Sequence, residues 1–174
     1  MKTTVADIAK EARIGVGTVY LEFRNKDAIL VALSQSRHEH VLRAVEHAWG
    51  DGRPAPTRFE RALLARLQAF LGCAEGAHGS ELISCACPAV EDAYHAFRRA
   101  EQALFARFLR DAASRGELEV TDADECARLV LIAYRAFEPP HLYQRATCTD
   151  LDAITRDALQ LCRMLVEGLL PRSR

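Results

Sequence analysis

The chain has 174 residues, 49% of them hydrophobic and 27% charged, with a formal net charge of −1. That length buries a sizeable core and fits one or two small domains, and the near-zero charge excludes a global basic field as the means of attracting nucleic acid. Apolar runs such as residues 129–133 are far too short to span a bilayer, and the N-terminus enters a polar–apolar pattern without a leader, so a cytoplasmic protein with no membrane partner is expected. For the six cysteines, a reducing cytosol favours free thiols or metal ligands over a disulfide scaffold.

The first organised stretch spans residues 3–27. Val5, Ile8, Ala9 and Ala12 recur at helical spacing, Arg13, Ile14 and Gly15 interrupt, and Val19, Tyr20 and Phe23 resume the period on a second short helix. This spacing predicts a helix-turn-helix. Thr3 or Thr4 supplies the N-cap hydroxyl of the first helix, Asp7 complements its positive end, and Gly15 opens the second. Val16, Gly17, Thr18, Leu21 and Glu22 are left free to face a DNA groove, whereas Val19 and Phe23 are spaced to pack inward. Thr18 can donate to a phosphate or a base edge, Val16 can touch a thymine methyl, and Glu22 can accept from cytosine N4. Over residues 1–27, Lys2, Lys10, Arg13, Arg24 and Lys26 oppose Asp7, Glu11, Glu22 and Asp27, a sum of only +1. Phosphate attraction therefore has to come from local placement and helix ends.

The pattern T-V-x-D-I-A at residues 4–9, then G-T-V-Y-x-x-F at 17–23, then Lys26 and Asp27 opening a long apolar helix, resembles the DNA-binding motif of the tetracycline-repressor (TetR) family of bacterial transcription regulators. The resemblance implies that Tyr20 and Lys26 contact backbone phosphates and that Thr4 anchors the first helix to the duplex. For Tyr20, a half-buried packing ring is an equal reading of the residue itself. In that family a further helix precedes the motif, whereas here Met1 almost abuts Thr3. The expectation is either a start further upstream or a head whose two helices lean on the next one. Relatives often carry glycine at the Arg13 position and a basic or polar residue at that of Val16, so Arg13 either restores charge or strains the turn.

Residues 27–49 read as one long helix with Ile29, Leu30, Leu33, Val41, Leu42, Val45 and Trp49 inward, a rod that connects the head to the rest of the chain. Glycines and prolines over 50–56 stop it. Trp49 reads first as core and second as pocket. His38 and His40, two apart, fall on different faces, which argues against a shared metal. A helix over 57–73 turns Phe59, Leu63, Leu67, Phe70 and Leu71 inward. The next stretch is broken by Gly72, Gly76 and Gly79 and holds Cys73, His78, Cys85 and Cys87, soft ligands for zinc or monovalent copper. The Cys-x-Cys spacing lacks the two-residue gap of zinc knuckles, and cysteines that line a core or pocket are the competing assignment.

Pro88 opens a helix that runs to about residue 115 and ends at Gly116, carrying Val90, Ala93, Tyr94, Phe97, Leu104, Phe105, Phe108 and Leu109 at the right intervals. The next begins at Asp122 with acids at its positive end, carries Cys126, Leu129, Val130, Ala133 and Phe137, and closes at Pro139 and Pro140. A last helix over 150–168 has an apolar band wider than one face needs, which calls for a second partner surface.

The expected fold is all-α, with a helix-turn-helix DNA-binding head over 1–47 and a helical ligand-binding and dimerisation bundle over 48–174. The resemblance implies that the last two helices pair with their copies across a twofold axis, which gives Cys126, Leu129, Ala133, Ile154, Ala158, Leu161 and Leu165 as interface candidates. It also implies that the helix from Pro88 walls a ligand cavity. Tyr94, His95 and Phe97 are then pocket candidates, joined by Trp49, Phe70, Tyr134 and Phe137, although such an aromatic stripe is also plain core. The expected function is a homodimeric transcription regulator that represses from a pseudo-palindromic double-stranded operator until a small-molecule inducer releases it. The alternative is a metal- or thiol-responsive binding protein of the same fold, with weakened or lost DNA binding and a Zn or Cu(I) site at Cys73, Cys85 and Cys87. No paired carboxylates, nucleophile elbow or phosphate loop accompanies these cysteines, so no enzyme is expected.

Overall fold

Eight α-helices and one 3-10 turn, with no strand, make up the described residues of the computed structural model, which are 3–50, 52–72, 88–146 and 150–170. In chain order they are α1 (Val5–Glu11), α2 (Val16–Glu22), α3 (Lys26–Trp49), α4 (Ala55–Gly72), α5 (Pro88–Ser114), α6 (Ala123–Ala133), the 3-10 turn (Tyr134–Phe137), α7 (His141–Ala146) and α8 (Leu151–Glu167). The all-α expectation holds.

The head is short and closed by side chains. Thr4 is the N-cap of α1: its Oγ1 accepts from the Asp7 amide at 3.2 Å, and the Asp7 carboxylate accepts in return from the Thr4 amide at 2.8 Å. That reciprocal box satisfies two donors that a helix start leaves open. The hydrogen bonds from Thr4 hold the Asp7 carboxyl below its usual range. Asn25 caps α3 through Ala28 N at 2.9 Å, and Lys26 Nζ donates to the Thr3 carbonyl at 2.7 Å, so the start of α3 is tied to the start of α1.

The exit from α1 carries a backbone cost. Ile14 N bonds to Ala9 O and Arg13 N to Lys10 O, a closure that places Arg13 at φ 56°. At the end of α5 the same closure, Glu117 N to Ala112 O and Gly116 N to Ala113 O, places a glycine at φ 71°. Left-handed backbone crowds a Cβ and favours glycine, so Arg13 strains the turn. Arg13→Gly is expected to raise stability by about 0.5–1 kcal/mol, the strain relieved being partly offset by the freer unfolded chain. An unchanged or lower melting temperature would contradict this.

Behind the head, α3 packs along α4 and α5, α6 lies on α5, and α8 lies on α4. The core between them holds Val41, Val45 and Trp49 of α3, Phe59, Leu63 and Leu67 of α4, Phe105, Phe108 and Leu109 of α5, and Ile154, Ala158, Cys162 and Val166 of α8. At one end, Trp49 stacks on Phe108 with centroids 4.4 Å apart, and the guanidinium of Arg58 lies 4.3 Å from the Trp49 ring. Arg58 also bridges Asp111 at 3.1 Å and Glu117 at 3.2 Å, pinning the start of α4 to the end of α5.

One expected helix is divided. The pattern from Asp122 through Phe137 predicted a single helix, but it stops at Ala133 and tightens to 3-10 geometry. The tightening turns Tyr134 and Phe137 into the core, where the Tyr134 hydroxyl donates to the Ala158 carbonyl of α8. α7 was not anticipated: it is six residues long and comes after two prolines, too short for a periodic signal. Its buried anchor is Leu142.

Candidate nucleic-acid interface and effector site

α2 turns one apolar residue inward and the rest of its surface outward. Val19 is 4% exposed, whereas Val16 is 42%, Tyr20 55% and Leu21 85% exposed. Gly17, Thr18 and Glu22 are also exposed. A leucine held almost wholly in water on a rigid helix, beside a phenol and a threonine, is unpartnered within the chain. Gly15, the N-cap, contributes no side-chain cap. Thr4 is exposed at the start of α1, with its hydroxyl already bonded to Asp7. Lys26 uses one of its three donors on Thr3.

Residues 1–33 match the model of bacterial regulatory proteins of the tetR family. The match is confined to the amino-terminal head, 33 of the 174 residues. A search of curated proteins returned no match. Among solved structures, the chain is similar to a putative transcriptional regulator from Pseudomonas aeruginosa, at 20% identity over 95% of this chain and 79% of that one, TM-score 0.74. It is also similar to SmeT of Stenotrophomonas maltophilia in complex with triclosan, at 20% identity over 99% and 84%, TM-score 0.74. A third is the regulator FadR from Bacillus subtilis in complex with stearoyl-CoA, at 18% identity over 95% and 88%, TM-score 0.74. These likenesses establish a shared all-α fold along the chain, beyond the 33 matched residues.

In the helical body the candidate pocket residues separate into groups. Phe97 of α5 stacks on His38 of α3, 4.4 Å between centroids and 13° between planes, and meets Phe70 of α4 edge-on at 6.1 Å. Tyr94 lies 6.1 Å from His38, and its hydroxyl donates to Glu138 Oε1 at 3.2 Å. Trp49 belongs elsewhere, in the aromatic cluster with Phe59 and Phe108, and Tyr134 and Phe137 pack on each other below α8. His95 is corrected outright: its side chain is exposed and paired only loosely with Glu91, because one step along α5 from Tyr94 rotates a side chain about 100° off the inner face.

Next to this group lies an ionic cluster that the sequence did not announce. Arg66 and Glu101 are both fully buried, joined by Nε to Oε1 at 2.7 Å and Nη2 to Oε2 at 3.2 Å. Arg66 Nη2 also donates to Glu138 at 2.5 Å, and Arg98 Nη1 reaches the same carboxylate at 2.7 Å. Burial alone would discourage the charge on Arg66, but Glu101 and Glu138 hold it more firmly protonated than usual. The periodic signal was present: Glu101 stands four residues after Phe97 and four before Phe105, on the inner stripe of α5. Two polar atoms of this region, Arg66 Nη1 and His38 Nδ1, are buried with no hydrogen-bond partner among the described residues.

Burial lowers the His38 imidazole to about 4, with Glu101 opposing and Arg37 adding to the shift. The folded state therefore binds this proton less readily than the unfolded chain. Stability falls as pH drops below about 6.5 and levels off below about 4, with a loss between pH 7 and pH 5 of about 1 kcal/mol once solvent screening at this part-exposed ring is allowed for. In His38→Phe that slope should flatten, measured by urea unfolding at the two pH values; an unchanged slope would place the titrating group elsewhere.

The interface candidates also divide. Ile154 and Ala158 are buried in the chain's own core and are corrected: the band on α8 is wide, and its period does not tell the inner side from the outer. Leu129 is exposed, and Cys126, Ala133, Leu161 and Leu165 are half-buried. Ile132 of α6 with Leu151 and Met164 of α8 add exposed apolar surface that the sequence pattern had not singled out. The candidate metal ligands Cys73, Cys85 and Cys87 lie outside the described residues, among which no group of three or more His, Cys, Asp or Glu is placed to hold a metal ion. Among the same residues no helix is long and apolar enough to cross a membrane.

Proposed function

We propose that this chain is a homodimeric, ligand-responsive transcription regulator that represses from a pseudo-palindromic operator and is released by a small molecule. The observation that carries the reading is the outward face of α2, where Val16, Gly17, Thr18, Tyr20, Leu21 and Glu22 stand free around a single inward anchor, Val19. Residues at the start of α2 face base edges, and Tyr20, Lys26 and Thr4 address phosphates. We assign residues 1–47 to the DNA-binding head and 48–174 to the ligand-binding and dimerisation body.

Exposed apolar side chains on α6 and α8 support pairing through these two helices, with Leu129, Ile132, Leu151 and Met164 as contacts. A twofold pair presents its two reading helices to successive major grooves about 34–36 Å apart. α3 is the strut between events: it carries the head at Lys26 and reaches the aromatic group at His38, about 18 Å along its axis. An effector held against His38 tilts that strut and spoils the spacing. Its leverage is its differential affinity for the two arrangements, about 1–3 kcal/mol in regulators of this kind. The ligand-bound neighbours SmeT and FadR support an effector-responsive body.

Light scattering and gel shift test the reading together. The expected results are a dimer and a specific, salt-sensitive shift. Tyr20→Phe should weaken the shift by about threefold to tenfold by loss of one hydrogen bond. A monomer with no specific shift would defeat the proposal.

A further inference from the structure

Six side chains from four parts of the fold form a closed circuit. His38 stacks on Phe97, Phe97 meets Phe70, and the Arg66 guanidinium lies 4.9 Å from the Phe70 ring. Arg66 bonds to Glu138, Glu138 accepts from Tyr94, and Tyr94 returns to His38. α3, α4, α5 and the residue after the 3-10 turn each contribute. Two members carry a buried polar atom without a partner among the described residues, Nη1 of Arg66 and Nδ1 of His38. A buried cationic N–H left open is costly and is kept where something else completes it.

We propose that this circuit is the recognition end of the effector site and that it takes a neutral, flat, apolar molecule bearing a hydrogen-bond-accepting oxygen. The oxygen accepts from Arg66 Nη1, a second polar edge meets His38 Nδ1, and the flat body lies against the rings of Phe70 and Phe97. Charge selects neutrality. Arg66 and Arg98 are already balanced by Glu101 and Glu138, so the buried cluster sums to zero. An anion would enter beside two carboxylates and a cation beside two guanidiniums, each shedding water without a free counter-charge. His38 is neutral near pH 7 and adds no charge to offset either. The proposal rests on the effector-responsive reading of the proposed function and names the ligand class of that site.

Three probes of matched shape test it on the full chain by calorimetry and thermal shift: 2-naphthamide, 2-naphthoate and 2-naphthylmethylammonium. The amide is expected to raise the melting temperature and to bind at least about tenfold tighter than either ion, because each ion sheds its water with no free counter-charge in the cluster. His38→Phe keeps the ring stack and removes Nδ1; it should retain a cooperative melt at pH 8 and lose about tenfold in amide affinity. His38→Leu serves the same purpose should phenylalanine crowd Phe97. Tighter binding of the carboxylate or the ammonium, equal binding of all three, no binding of any, or an unchanged affinity in the His38 variant would overturn the proposal. Gel shift without ligand reads the DNA-binding function independently, so amide binding with no DNA shift would defeat regulation and leave the site standing, and the converse result would do the reverse.

Discussion

Glu101→Ala is expected to lower the unfolding free energy by about 3–5 kcal/mol, because it strands a buried guanidinium that Glu101 now meets with two hydrogen bonds. Arg66 would keep Glu138, but that carboxylate is shared with Arg98, so two cations would be left with one counter-charge. The double change Arg66→Met with Glu101→Leu should cost much less. It removes both members of the pair, fills their volume with apolar atoms, and leaves Glu138 with Arg98. The chain has a single tryptophan, Trp49, packed against Phe108, so urea unfolding followed by its fluorescence reads both variants. A Glu101→Ala loss below about 1 kcal/mol would show that water reaches this cluster and that its charges are not truly desolvated.

Phe59→Ala is the second large effect, with an expected loss of about 3–5 kcal/mol. Phe59 is fully buried and meets Trp49 edge-on at 6.2 Å and Phe105 at 5.7 Å, in the aromatic cluster that joins α3, α4 and α5. Removing the ring leaves a void between helices held in place on three sides, where collapse is limited. Phe59→Leu should recover more than half of the loss, since most of the volume returns. Equal destabilisation by the two substitutions would show that ring geometry, not volume, governs the cluster.

The head was legible because short-range signals decide it. Thr4 with Asp7, the break at Arg13 to Gly15, and Val19 among outward neighbours are all readable within a few residues. The long helices were legible from their periods, and the start of α5 at Pro88 came from a proline suited to a first turn. The candidate effector site was half legible. Phe70, Tyr94 and Phe97 are found together, but Arg66, Glu101 and Glu138 pair across 35 and 72 positions of chain, and a charged residue read alone defaults to the surface. His38 carries no local sign of its place in the site, since nothing nearby in the chain shows that a ring on α3 will stack on a ring 59 residues later. Ile154 and Ala158 were misplaced because an apolar band on α8 does not label which side a partner covers.

Selection of binding sites from random duplexes by the purified chain tests most directly whether the outward face of α2 reads DNA from a twofold pair. Enriched sites should be pseudo-palindromes with half-sites about one helical turn apart, and Thr18→Ala with Tyr20→Ala should abolish enrichment while the thermal melt is unchanged. Enrichment of nothing, of sites without twofold symmetry, or of the same sites by the double variant would contradict it.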